Sequence, residues 1–174
     1  MIEDFLKAAM TLKTVPRQGW INKLGIKDPE SVADHCYSMA VMAMLFSDMK
    51  KLDTGRIIKM TLLHDLAESI TGDLTPDDAT KPKKEQMENL AMKKILASLP
   101  KPVRAEYEKI WMEYQRNGTR EARLLHQIDK LEMVLQAEHY KKKGYTNKQL
   151  KPFFDSAKKE ITDPALKKLC KIYK

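Results

Sequence analysis

The chain has 174 residues, enough for one domain with a sizeable core, and its 43% hydrophobic and 32% charged residues, with only 6 Gly and 8 Pro, exclude a disordered or fibrous protein. The longest apolar stretch, MAVMAMLF at 39–46, is far short of a membrane span, and Glu3, Asp4 and Lys7 do not suit a signal peptide, so a soluble, cytoplasmic protein without a membrane role is expected. The net charge of +8 points to nucleic acid only until it is located: residues 141–174 hold eleven lysines and three acids while the remainder balances, which reads better as the solvated face of basic helices than as a nucleic-acid surface.

Apolar stripes of period 3.6 recur along the chain and no stretch sustains period 2, which predicts an all-α fold. Ile2, Phe5, Leu6, Ala9 and Leu12 mark a first helix, ending before TVPRQGW, a loop with Pro16 and Gly19. The next helix starts near Asp28-Pro29 or at Ser31, where Asp34 three residues later fits a capping box. A third runs from about 56 to 71 and is closed by Gly72; DLTPDDATKP is then a polar loop. Met87, Leu90, Ala91 and Ile95 mark one further helix, and Val103, Tyr107, Ile110, Trp111 and Tyr114 another, which line either the core or a partner interface. After Asn117-Gly118, the stripe Leu124, Ile128, Leu131, Leu135 predicts a long helix ending at Lys143-Gly144. Two shorter helices follow, at about 153–161 and 163–173. Met39, Met42 and Met44 read as core filler, and Cys36 and Cys170 as reduced core residues, since nothing resembles a disulfide or zinc framework.

The stretch LLHDLAESITGD at 62–73 places His64, Asp65, Glu68 and Asp73 within ten residues. On a helix His64 and Glu68 are i, i+4 neighbours and Asp65 lies three before Glu68, so all three can face one point. Carboxylates buried beside an imidazole need a positive partner, and a divalent cation supplies one; a half-exposed polar patch at a helix edge would produce the same string. Two further residues favour the cation. His35 opens an otherwise apolar helix, and Asp129 sits beside Ile128 on the long helical stripe, a poor place for an unpaired carboxylate. Two imidazoles and two carboxylates suit Mn, Fe, Co, Ni or Zn, with water completing the shell. His126 and His139 read as supporting or surface groups, and Lys130 as solvated.

The order H…HD…D, with Glu four residues after the second His, resembles the HD-domain metal-dependent phosphohydrolases. VPRQGW, PESVADHCYSMAVMAM, LLHDLAESITGDLTPDD and HQIDKLEMVLQAEHY are together similar to the 5'-deoxynucleotidase branch, which includes the HD domain-containing protein 2 family and bacterial YfbR-like enzymes, over roughly residues 5–140. The resemblance implies a single HD-domain helical bundle with a basic helical extension at 141–174. It implies a divalent metal, Mn, Co or similar, with Zn, Fe, Ni or Mg possible, on His35, His64, Asp65 and Asp129. Glu68 would deprotonate a water, and Asp73 would assist the leaving group. Arg17 and Trp20 would hold the phosphate, although in the bacterial enzymes these two are adjacent and here Gln18 and Gly19 intervene; a surface ion pair for Arg17 stays open. Asp73 and Thr75 would line the nucleoside pocket, with turn formation an equal explanation for Thr75. The implied substrate is a deoxyribonucleoside 5'-monophosphate and the implied assembly a homodimer. Another phosphate ester, such as a ribonucleotide, triphosphate or cyclic nucleotide, or a regulatory or nucleic-acid-binding role on the lysine-rich segment, would leave the same motif.

Overall fold

The computed structural model describes residues 2–172, so the expected end of the last helix at Tyr173 lies outside the described residues. Among them are ten α-helices, one 3-10 turn and no extended sheet: α1 (Glu3–Thr11), the 3-10 turn (Leu12–Thr14), α2 (Gln18–Leu24), α3 (Val32–Met49), α4 (Thr54–Leu63), α5 (Glu68–Thr71), α6 (Lys81–Ala97), α7 (Lys101–Arg116), α8 (Arg120–Lys142), α9 (Asn147–Glu160) and α10 (Pro164–Ile172). The capping box opens α3 as its sequence indicates, with Ser31 accepting from the Asp34 amide and Asp34 accepting from the Ser31 amide. Asn117, at φ 49, ends α7 in the left-handed conformation that Asn tolerates.

The centre of the molecule is the packing of α3, α4 and α8. Val32, Met39, Ala43, Ile57, Met60, Leu125 and Ile128 are wholly enclosed there. Truncating one of the larger of these to Ala costs about 2–5 kcal/mol. The lysine-rich α9 and α10 belong to the same structure: Leu150, Ala157, Ile161 and Leu166 are buried, while most of the lysines face outward. Cys36 is buried, Cys170 half-buried, and both are free.

Four local readings change. Part of the expected loop TVPRQGW is helix: α2 begins right after Arg17, its first amide capped not by a neighbour but by Asp73, whose Oδ2 accepts from Gln18 N–H at 2.8 Å, and Gly25, at φ 67, ends it. The expected helix over 56–71 is broken at 64–67. Leu90 is 63% exposed, its place in the core taken by Met92. Met44 is not filler but half-exposed, on an outer stripe of α3 with Tyr37, Val41 and Leu45, which the i, i+4, i+7, i+8 spacing places on one face.

Candidate metal centre and substrate cleft

The break between α4 and α5 builds the centre. There the backbone hydrogen bonds contract by one residue: Leu66 N–H donates to Leu63 O, Glu68 N–H to Asp65 O and Ser69 N–H to Leu66 O, at 3.0–3.2 Å. A three-residue turn eclipses positions i and i+3, so Asp65 and Glu68 come to the same side, next to His64. His64 is further oriented by its Nδ1, 2.6 Å from the Thr61 carbonyl. A carbonyl can only accept, so Nδ1 carries a proton; Nε2 faces the site, and although burial disfavours charge on the ring, Asp65 pushes the imidazole well above its ordinary value, so Nε2 must give up its proton to ligate.

Across from it, the first turn of α3 presents His35 and the middle of α8 presents Asp129. His64 Nε2 lies 3.1 Å from Asp65 Oδ2, and His35 Nε2 lies 3.7 Å from the same atom and 3.4 Å from Asp129 Oδ1. One donor atom from each of His35, His64 and Asp65 falls within 4.8 Å of the others. His35 Nδ1 is held by Glu132 Oε2 at 2.7 Å, one helical turn after Asp129. A carboxylate on the far nitrogen of a ligating imidazole fixes the ring and raises its basicity. Sequence reasoning missed Glu132; its only signal is an acid one turn from Asp129 within an apolar stripe.

His35 Nε2, His64 Nε2 and Glu68 Oε2 are buried and lack a hydrogen bond. Buried polar atoms without partners are uncommon in folded proteins, and three that converge with two carboxylates fit a divalent cation and its water. The electrostatics agree. Burial, then Arg17, disfavours charge on His35, yet Asp129 and Glu132 outweigh both and push it up to about 9. The cluster therefore demands positive charge, and a cation would displace the proton. Glu68 is pushed well above the usual carboxylate range by burial and by Asp65 and Asp73, against Lys84 and Arg17.

The centre opens on a cleft of about 450 Å³ lined by Arg17, Asp73, Thr75, Lys84, Lys130 and Phe153, among others. Arg17 is a cleft residue, not a surface ion pair: its side chain is 17% exposed and its Nη1 stands 3.8 Å from both Asp65 Oδ2 and Asp73 Oδ1. An isolated β-bridge between Pro16 and Ser31 and the Arg17 N–H to Glu30 O bond hold it there. Trp20 is 2% exposed yet lines the cleft beside Arg17; it packs against Phe153 and Tyr140 and donates from Nε1 to Glu30 Oε1 at 2.8 Å. The Thr75 hydroxyl donates to Asp78 Oδ2 at 2.6 Å, which commits its proton to the turn.

Lys130 is paired with Asp129 at 3.1 Å and 24% exposed, so it is not a solvated lysine. His126 stacks on Tyr114 and bonds its carbonyl, while His139 is exposed. Phe153 comes from α9, so the basic segment supplies part of the cleft.

Residues 9–169 match the HD domain family. The chain is 39% identical to human 5'-deoxynucleotidase HDDC2 over 95% of its own length and 81% of that protein. Its fold matches a Pyrococcus horikoshii protein with a TM-score of 0.81 at 32% identity, over 99% of this chain and 98% of that one. It also matches a predicted metal-dependent phosphohydrolase of Magnetospirillum magnetotacticum, with a TM-score of 0.69 at 26% identity, over 97% and 87% of the two chains.

Proposed function

This chain belongs to the HD-domain phosphohydrolases, in the 5'-deoxynucleotidase HDDC2 family, and we propose that it hydrolyses deoxyribonucleoside 5'-monophosphates to a deoxynucleoside and inorganic phosphate. The observation that carries this reading is the convergence of the buried atoms His35 Nε2, His64 Nε2 and Glu68 Oε2, none of which makes a hydrogen bond, beside a cleft whose cations include Arg17, Lys81, Lys84 and Lys130.

His35, His64, Asp65 and Asp129 would hold the cation; the donor set suits Mn, Fe, Co, Ni or Zn, and the family resemblance favours Mn or Co, with Mg a further competitor. When bound, it supplies Lewis-acid polarisation of a phosphoryl oxygen and makes an attacking water more acidic. Glu68, whose proton affinity is raised by burial and by Asp65 and Asp73, takes the water's proton on Oε2. Arg17 offers the planar fork that matches phosphate oxygens and neutralises the charge spread over them in the transition state. As the P–O5' bond breaks, the departing oxygen takes a proton from a solvent water hydrogen-bonded to the Asp73 carboxylate, which the α2 amide and Arg17 hold in place, and Glu68 returns its proton to solvent as the products leave. Trp20 keeps the Arg17 wall rigid through Glu30, and Thr75 shapes the nucleoside end of the cleft.

The test is phosphate release by metal-stripped protein re-supplied with Mn, Co, Zn or Mg, across matched ribo- and deoxyribonucleoside 5'-monophosphates, with 3'-monophosphates and triphosphates as controls. Metal-dependent release confined to deoxy 5'-monophosphates supports the reading; release from another ester, or none with metal bound, overturns it.

A cytoplasmic homodimer is part of the same proposal. Among the described residues no helix is long and apolar enough to cross a membrane. The outer stripe of α3, Tyr37 at 72% exposure with Val41, Met44 and Leu45 about half-exposed, is the kind of contiguous apolar face that a two-fold interface buries. Leu45→Glu should convert a dimer to a monomer in light scattering; a wild-type monomer would refute it.

A further inference from the structure

Lys84 lies in the first turn of α6, where a positive charge opposes the helix dipole, an effect offset only in part by its i, i+4 pair with Glu88. Its side chain is 31% exposed and turns into the cleft. An ammonium group has three N–H donors, and three acceptors surround this one: the Leu74 carbonyl at 2.8 Å, Glu88 Oε1 at 3.4 Å and Glu68 Oε1 at 3.5 Å. These acceptors compete with any phosphate oxygen for the donors of the ammonium group. The contacts join three separate pieces of chain: the short α5 that carries Glu68, the loop in which Leu74 follows Asp73, and α6.

The consequence for Glu68 is directional. Its Oε1 is engaged by Lys84 while its Oε2 is buried and has no hydrogen bond. A carboxylate tied through one oxygen cannot rotate freely, so the other oxygen stays aimed into the centre. The tie to Leu74 O also limits the preceding residue, because only three torsions, the ψ of Asp73 and the φ and ψ of Leu74, separate Asp73 from the anchored Leu74–Thr75 peptide. The α2 amide holds the Asp73 carboxylate from the other end.

We propose that Lys84 is a positioning residue of the reaction, which fixes Glu68 with Oε2 toward the attacking water and keeps Asp73 on the far side of the phosphorus. It acts through these two residues and does not bind the phosphate. The inference rests on the roles given above to Glu68 and Asp73. A phosphate-binding lysine would be read out in KM, whereas a positioning lysine is read out in kcat.

The test compares wild type, Lys84→Met, Lys84→Arg and Lys84→Ala on deoxyribonucleoside 5'-monophosphates and on p-nitrophenyl phosphate. The expected result for Lys84→Met is a fall of about 10²-fold in kcat with KM within a few-fold, cation affinity unchanged and the melting temperature lowered by only a few degrees. Lys84→Arg should not restore turnover, since a planar fork cannot reach the same three acceptors. Methylammonium or ethylammonium should restore Lys84→Ala saturably. Hydrogen exchange of the 73–79 amides should be at least tenfold faster in Lys84→Met, with the α8 amides unaffected. A loss confined to KM, turnover of Lys84→Met within twofold of wild type, or unchanged loop exchange would each overturn the proposal. If wild-type protein hydrolyses neither substrate, the functional reading fails, and loop exchange alone decides the role of Lys84.

Discussion

The wall of the cleft that carries His35, His64 and Asp129 grows out of α3, α4 and α8, where Val32, Met39, Ile57, Met60, Leu125 and Ile128 are wholly enclosed. The opposite wall carries Arg17, Asp73 and Lys84 on the end of a loop, a second loop and the first turn of α6. The first wall is held by hydrophobic packing, a stabilisation spread over many contacts. In the second, α2 and α6 are packed through Trp20, Leu24, Met92 and Ile95, but the side chains at its tips are held by single polar ties: Gln18 N–H to Asp73, Arg17 N–H to Glu30 O, Lys84 to Leu74 O. Metal ligands need a donor set whose spacing survives while the cation comes and goes, and a packed helical core supplies that rigidity. Groups on the substrate side must admit and release a nucleotide, and polar ties, each worth about 1 kcal/mol net, can be remade at each turnover. Damage to the first wall should therefore appear in cation binding and stability, and damage to the second in turnover.

The most severe break in this contrast is Asp65→Ala, which removes the carboxylate shared between the two imidazoles. No measurable phosphate release is expected, and the rise in melting temperature that added cation gives wild type should vanish; unchanged turnover would remove the mechanism. Glu68→Ala, on the short helix between the walls, should lose turnover by about 10²–10⁴-fold while still binding the cation. Loss of the cation in that variant would make Glu68 a ligand. Glu132→Gln leaves all four proposed ligands in place but weakens the grip on His35 Nδ1. Its expected signature is a 10–100-fold weaker cation affinity by chelator competition, with near-normal kcat at saturating cation. Affinity equal to wild type would show that His35 needs no such support.

The binding should also be pH-dependent. His35 lies at about 9 in the cation-free protein, His64 is also held well above its ordinary value by Asp65, and both must be neutral to ligate, so the cation releases at least one proton and its affinity should rise with pH through about 9. Calorimetry in buffers of different ionisation enthalpy counts that proton; a count of zero would contradict it.

The smallest effect on turnover is expected at Glu30, behind Trp20. Burial and then Glu132 push its carboxyl up to about 7, against Trp20, Arg17 and His35. The folded protein thus keeps a proton that the unfolded chain, with a value near 4.5, releases, so stability from this group falls as pH rises from about 4.5 to 7. Glu30→Gln is neutral throughout and should be more stable than wild type at pH 8, by up to about 3 kcal/mol, and not at pH 4.5. Denaturant midpoints at the two pH values measure the difference, and parallel pH profiles would refute it.

Much of the first wall is legible in the residues themselves. Periodicity of 3.6 marks α3 and α8, Ser31 with Asp34 writes the start of α3, and a histidine or carboxylate inside an apolar stripe is costly enough to stand out, as His35 and Asp129 do. The second wall is not legible in the same way, because its determinants are distant in the chain. The α2 helix is capped by a carboxylate 55 positions away, and Lys84 takes its meaning from Glu68 and Leu74, which no local pattern connects to it. Lys130 and the lysines of α6 look identical in the sequence to solvated lysines, since composition carries no information about which way a side chain turns. The sequence by itself thus determined the helices with apolar periodicity and local caps, the all-α class and the identities of the proposed ligands, all of which depend on neighbours within one or two turns. Tertiary structure alone decided the break at 64–67, the helix inside TVPRQGW, the burial of Trp20, the grip of Glu132 on His35 and the contribution of Phe153 to the cleft, because each depends on a partner brought close only by folding.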